Sequence, residues 1–183
     1  GGGSWALKEG KKGPAWCGYT VAAARREARR RGVELPYAIK GGGRAVSWWQ
    51  QAPDGYRVER DQLHLVDPAC LVGGALVRTR SSKPQDRPRI LAGKRTSGHV
   101  VTVLEAVLDP AWEAWAIDIR AVGGNSSGAG HSKHGGEVAR EQYAPSLTRH
   151  WRCVVGVATV VPVVWLDMPW GGHPAGPTDR GTS

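Results

Sequence analysis

The stretch from Trp16 to Arg31 is where this chain is best suited to a long helix. It holds sixteen residues with no proline and one glycine, Gly18, is rich in Ala, Arg and Glu, and is stopped by Gly32. Val21, Ala24 and Ala28, with Trp16 or Cys17, recur at helical spacing. Arg25, Arg26, Arg29 and Arg30 take the other side, so the reading gives one apolar and one basic face. The chain beyond Gly32 is heavily punctuated, and 26 Gly and 12 Pro among 183 residues disfavour a helix bundle. Apolar or β-branched segments bounded by Gly, Pro, Ser or Asp predict strands over 74–80, 98–108 and 112–122, arranged as an antiparallel meander. Two further strands are expected over 137–143 and 152–161. Residues 35–65 give mixed signals, with a short helix around 45–51 and a turn at Pro53-Asp54-Gly55. Residues 81–97 read as a Lys/Arg/Pro-rich loop too polar to pack, and 123–136 as a glycine-rich loop. A helix followed by strands makes an α+β layer domain.

The domain is expected over 14–166, with 1–13 a linker or the cut end of a longer chain and 167–183 a Gly/Pro-rich tail. The longest apolar run, 154–166, is interrupted by Pro162 and too short to span a bilayer, so it reads as buried strand. The charge of +9 favours polyanionic surroundings: nucleic acid, an anionic cell wall or an acidic membrane face. Three cysteines, Cys17, Cys70 and Cys153, with no CxxC spacing signal neither a disulfide framework nor a thiolate zinc site. His131 and His134 sit in a glycine loop without a third ligand and read as solvated. No metal and no organic cofactor is expected.

A cysteine acts as a nucleophile only as thiolate, and a helix N-terminus lowers its pKa through unpaired N–H groups and the helix dipole. Cys17 begins the helix after Gly13-Pro14-Ala15-Trp16, although a small buried hydrophobe is the bland reading of the same residue. His99 opens the apolar strand Val100-Val101-Thr102-Val103-Leu104, where its ring sits at the rim and serves as base. Asn125, in Val122-Gly123-Gly124-Asn125-Ser126, ends the next strand and is placed to orient that ring, or else is a turn residue. Cys70 and Cys153 lie in apolar contexts and read as core. Trp16, Trp48 and Trp49 are candidates for a substrate groove because sugar rings and peptide stems stack on indole faces. With no Phe and nine Trp, core filling is their default.

This order of Cys on a helix, His on a strand and Asn at the next strand's end resembles the papain-like cysteine peptidase superfamily. The likeness is to its compact bacterial and phage forms, the NlpC-type and CHAP peptidoglycan hydrolases. PAWCGYTVAAARREARRRG (14–32) resembles the family's WCAxFV helix, and GGALVRT (73–79) its GDIV-type strand. SGHVVTVLEA (97–106) resembles the GHVGIV strand, and AVGGNSS (121–127) the GGN or EGN strand end. The resemblance implies a papain-like N-terminal helix packed on a central antiparallel sheet and a thiol hydrolase of amide bonds in peptidoglycan. It implies Cys17 as nucleophile, His99 as base and Asn125 as orienting residue. The partner would be the wall polymer, with attachment to a phage particle or tail assembly as one setting. The location would be extracellular, periplasmic or in a virion.

The chain departs from the family pattern in three places. Ala75 replaces the aspartate of the GDIV-like strand, Gly123 stands where many members carry a glutamate, and Gly10-Lys11-Lys12-Gly13 replaces a glutamine-bearing stretch before the cysteine. Asp118 is therefore the fallback for orienting the ring. The oxyanion donors left are the Cys17 backbone N–H, with Tyr19 or a lysine. Two other readings stay open: a non-catalytic wall-binding module on the same scaffold, and a basic nucleic-acid binder, though no RNP, zinc-knuckle or helix-turn-helix signature is present.

Overall fold

Helix α1, Cys17–Arg30, forms from the Gly/Pro-poor stretch, with Arg29 and Arg30 in its last turn, where cations suit the helix dipole. Cys17, Val21 and Arg25 come at intervals of four and share one face, and all three are buried. The basic face is therefore less solvated than the sequence suggests. The Arg25 guanidinium lies 4.8 Å from the Trp48 ring and 5.1 Å from the Tyr37 ring. Tyr37 in turn donates to the Thr159 carbonyl at 2.7 Å. A cation between two aromatic faces thus ties α1 to the domain body where an apolar residue would have packed.

The computed structural model describes residues 17–40, 42–109, 116–124 and 138–167. After α1 come α2, Ser47–Gln50; β1, Arg57–Glu59; β2, Ala75–Thr79; α3, Arg87–Leu91; β3, Gly98–Asp109; β4, Ala116–Gly123; β5, Ala139–Tyr143; α4, Thr148–Trp151; and β6, Val154–Ala158. The strands form one open antiparallel sheet in the order β1-β6-β2-β3-β4-β5. β2, β3 and β4 make the expected meander, and β5 extends it. β6 does not extend it but returns between β1 and β2. Short 3-10 turns at Arg60–Leu65 and Pro68–Leu71 cover one side. The expected linker, 1–13, lies outside the described residues, as does all of the expected tail except Asp167. No helix among the described residues is long and apolar enough to cross a membrane.

Alternation along the strands makes two apolar layers. Leu76, Val101, Val103, Ile117, Ile119 and Tyr143 pack on one face with Leu63, Val66 and Leu71 of the 3-10 turns. Ala75, Val77, Val100 and Val155 pack on the other with Cys17, Val21, Trp48, Trp49 and Ile90. Trp48 and Trp49 are 2% and 4% exposed, so they fill this core and line no groove. Cys70 and Cys153 are buried as well. The segment 81–97 contains α3, which buries Ile90 completely and packs Leu91 beside it, so two apolar side chains seat a segment that reads as too polar to pack.

The sheet cannot be flat. Arg78 pairs with His99, whereas Tyr143 pairs with Ile119 and through it with Ala106, seven residues farther along β3. At about 3.3 Å per residue that offset is roughly 23 Å, yet Arg78 Nε donates to the Tyr143 hydroxyl at 3.0 Å. The long strands β3 and β4 must coil to bring β5 back over the start of β3. A register irregularity between Val103 and Glu105 supplies a bend.

One glycine is required by close packing. A Cβ on Gly156 would stand 2.2 Å from the Val58 carbonyl oxygen and 2.5 Å from the Trp49 ring. Gly156→Ala is expected to destabilise the fold by about 1–3 kcal/mol. Gly55→Ala, where a Cβ meets nothing within 4 Å, should leave stability nearly unchanged. Paired urea denaturation midpoints check the contrast.

Candidate active site

Cys17 is the first residue of α1, where backbone N–H groups have no intrahelical acceptor. Gly18 lets this end of the helix seat tightly, since a Cβ there would lie 2.2 Å from the Gly42 carbonyl oxygen. The cysteine meets the sheet at the start of β3, hydrogen-bonded to the His99 side chain and to the backbone of Val100 and Gly18. Burial by itself raises the Cys17 thiol pKa. The hydrogen bond and charge of His99, with the two backbone groups, outweigh it and hold the thiol below its ordinary value. For His99, burial lowers the pKa and the Arg78 charge adds to that. The hydrogen bonds to Cys17 and Glu141 prevail and leave the imidazole above its ordinary value. The shifts are opposite in sign, as for a thiolate–imidazolium pair.

The ring is held by a residue that no sequence motif singles out. His99 Nε2 lies 2.9 Å from Glu141 Oε1 on β5, and both side chains are largely buried. With Nε2 taken by the carboxylate, Nδ1 is the nitrogen left to exchange a proton with the sulfur. The other carboxylate oxygen, Oε2, accepts from the Tyr143 hydroxyl and lies 3.6 Å from Arg78 Nη2. Tyr143 is fully buried, and burial pushes its pKa up so that it stays a neutral phenol. Arg78 also reaches the Thr79 carbonyl and Ser81 Oγ, each at 3.3 Å. Cys17, His99, Glu141, Tyr143 and Arg78 thus form one connected polar chain.

Among the other residues expected at the site, Asn125 and Trp16 lie outside the described residues. Asp118 is not beside the ring. It pairs with Val107, eight residues along β3 from His99, and its carboxylate accepts from Gln142 Nε2 at 2.7 Å. The carboxylate in contact with the ring is that of Glu141. Tyr19 is 48% exposed, with its ring against Gly43. His131 and His134 also lie outside the described residues. Among those described, no group of three His, Cys, Asp or Glu is placed to hold a metal ion. The sequence does carry one signal for Glu141: residues 137–143 read as a strand, and Glu141 and Tyr143 share its parity, so both face one side. That the side faces His99 depends on the sheet's coil, which no local pattern encodes.

No family model, no curated protein and no solved structure matches the chain.

Of the three buried thiols, Cys17 is the one hydrogen-bonded to an imidazole, and its pKa is held below the ordinary value. Burial raises Cys70, and Cys153 is fully enclosed with its sulfur toward the Arg149 carbonyl at 3.4 Å. Iodoacetamide is expected to label Cys17 first, at pH values below the ordinary thiol range. His99→Ala should move the midpoint of the rate-versus-pH curve upward by at least about one unit. Peptide mapping after timed labelling reads both outcomes.

Proposed function

We propose that the chain is a cysteine hydrolase of papain-like type that cleaves amide bonds in bacterial peptidoglycan. The observation that carries this reading is the chain from Cys17 through His99 to Glu141: a nucleophile at a helix N-terminus, a base and a carboxylate orienting the base. The motif order from Cys17 to the GGN turn supports the choice of wall peptide as substrate class. An enzyme acting on that polymer works outside the cytoplasm, in the periplasm or as part of a virion.

The reaction follows from the protonation states. The Cys17 thiolate attacks the amide carbonyl, and the tetrahedral oxyanion is met by N–H groups of the α1 terminus, the Cys17 backbone N–H first. Imidazolium at His99 gives its proton to the leaving amine, the C–N bond breaks, and a thioester joins the acyl group to Cys17. Neutral His99 then takes a proton from water, which attacks the thioester and releases the carboxylic acid. The sulfur leaves as thiolate and the imidazolium is restored. Glu141 keeps Nε2 protonated and stabilises the imidazolium through both steps, a stronger effect than an amide exerts because the carboxylate carries charge. The chemistry draws on no metal and no organic cofactor.

The active form is the ion pair, so the pH profile has two limbs. Activity should rise with pH as the thiol ionises, below the ordinary thiol range. It should fall with pH as the imidazolium is lost, above the ordinary imidazole range. Cys17→Ala and His99→Ala should each abolish turbidity loss from purified sacculi, and unaffected lysis in either variant would refute the reading. Glu141→Gln is expected to lower kcat by about 10- to 1000-fold and to move the alkaline limb to lower pH, because the charge that favoured imidazolium is gone. A purely structural role for Glu141 would lower the yield of folded protein without displacing that limb.

A further inference from the structure

A cleft of about 810 Å³ has walls that include Lys40, Arg44, Gln50, Gln51, Arg95 and Ser97. Its walls adjoin the segments that carry the site. Ser97 stands two residues before His99. Val46, also on the wall, packs against Gly98, where a Cβ would meet its Cγ1 at 3.3 Å. Arg44 directly follows the Gly42-Gly43 segment that seats Gly18. Two amide side chains fix the walls. Gln51 bonds the backbone N–H and carbonyl of Lys40, each at 2.8 Å, and Gln50 donates to the Lys94 carbonyl at 3.1 Å. The walls present three cations. No carboxylate lines the cleft among the described residues, and Lys40, Arg44 and Arg95 have no ion-pair partner there.

We infer that this cleft binds the part of the substrate next to the scissile amide and selects a peptide bearing a free carboxylate a few bonds from it. The inference rests on the proposed hydrolysis. A substrate held at Cys17 that extends past Ser97 into this cleft does so as peptide, and the anionic group of a peptide is a carboxylate. The volume suits a short peptide segment. Arginine at two of the three positions suits paired N–H donation to a carboxylate.

Binding to the Cys17→Ala protein separates this from the reaction itself. The probes are C-terminally amidated L-Ala-γ-D-Glu-L-Lys, with its glutamyl α-carboxylate free, and the same peptide with that group as carboxamide, measured by calorimetry at low ionic strength. The free carboxylate is expected to bind at least about fivefold more tightly, with the preference removed by Arg44→Glu or Arg95→Glu and weakened by salt. Both arginines are exposed, and circular dichroism verifies the fold of each variant. Equal affinities, or no binding of either peptide, overturn the inference. So does poly(glycerol phosphate) binding more tightly than the carboxylate peptide and losing affinity in the same variants. Lysis of sacculi by the unmodified protein without discrimination between the peptides leaves the hydrolase standing and removes the cleft's role. Discrimination without lysis does the reverse.

Discussion

Four ionisable groups meet in the interior: Arg78, His99, Glu141 and the Cys17 thiol. Their burial is costly. A buried ion pair commonly recovers no more than its desolvation penalty, and losing one partner strands the other. Here the cost is contained because the charges alternate along one chain and the remaining hydrogen-bonding capacity is used. Tyr143 donates to Glu141 and accepts from Arg78, and Arg78 also reaches Thr79 and Ser81. With the sulfur as thiolate and the ring as imidazolium, the charges along the chain alternate and balance. With both neutral, Arg78 and Glu141 still pair, but the sulfur–ring contact shrinks to an ordinary hydrogen bond. The polar chain therefore shifts both groups toward their charged forms, the thiol pKa downward and the imidazole pKa upward.

The backbone serves that chain at several points. β2 holds Arg78 opposite His99, so the cation and the base sit on neighbouring strands at one end of the sheet. Glu141 and Tyr143 come from the far edge, and only a coiled sheet delivers them. Three parities agree: Arg78 with Leu76, His99 with Val101 and Val103, and Glu141 with Tyr143 all fall on the face that packs against the 3-10 turns. The second face carries α1 and the tryptophans, and Cys17 belongs to its core. Cys17 and His99 thus arise from opposite layers and meet at the start of β3, where Gly98 passes close to the Arg78 carbonyl.

Much of this is legible locally. The helix limits at Cys17 and Arg30 fall within one residue of those read from the Gly/Pro-poor run, and five strands lie, to within one residue, inside the segments that alternation and turn residues mark out. β1 is not legible, because three residues, Arg57–Glu59, are too few to show a period. The placement of β6 is not either, since strand order is a long-range property that hydrophobic pattern does not carry. Arg25 reads as solvated on residue type, although its spacing from Val21 puts it on the buried stripe; aromatic partners decide, and they come from Tyr37 and Trp48. Trp48 and Trp49 go to the core for the reason the composition already holds, the absence of Phe.

The orienting residue shows the limit of motif reading most clearly. In the hydrolases that this chain resembles, a glutamate often stands two residues before the strand-end asparagine, and that position here is Gly123. Gly123 pairs with Ala139 on β5, and Glu141 is two residues beyond that partner. In this chain the carboxylate beside the ring comes from the neighbouring strand. There it bonds the ring and has Tyr143 on its own strand and Arg78 across the coil as anchors. A motif records which residue follows which, whereas a proton-transfer chain needs charge at a point in space. Any strand passing that point can supply it, so the chemistry of a site can persist while its linear signature disappears.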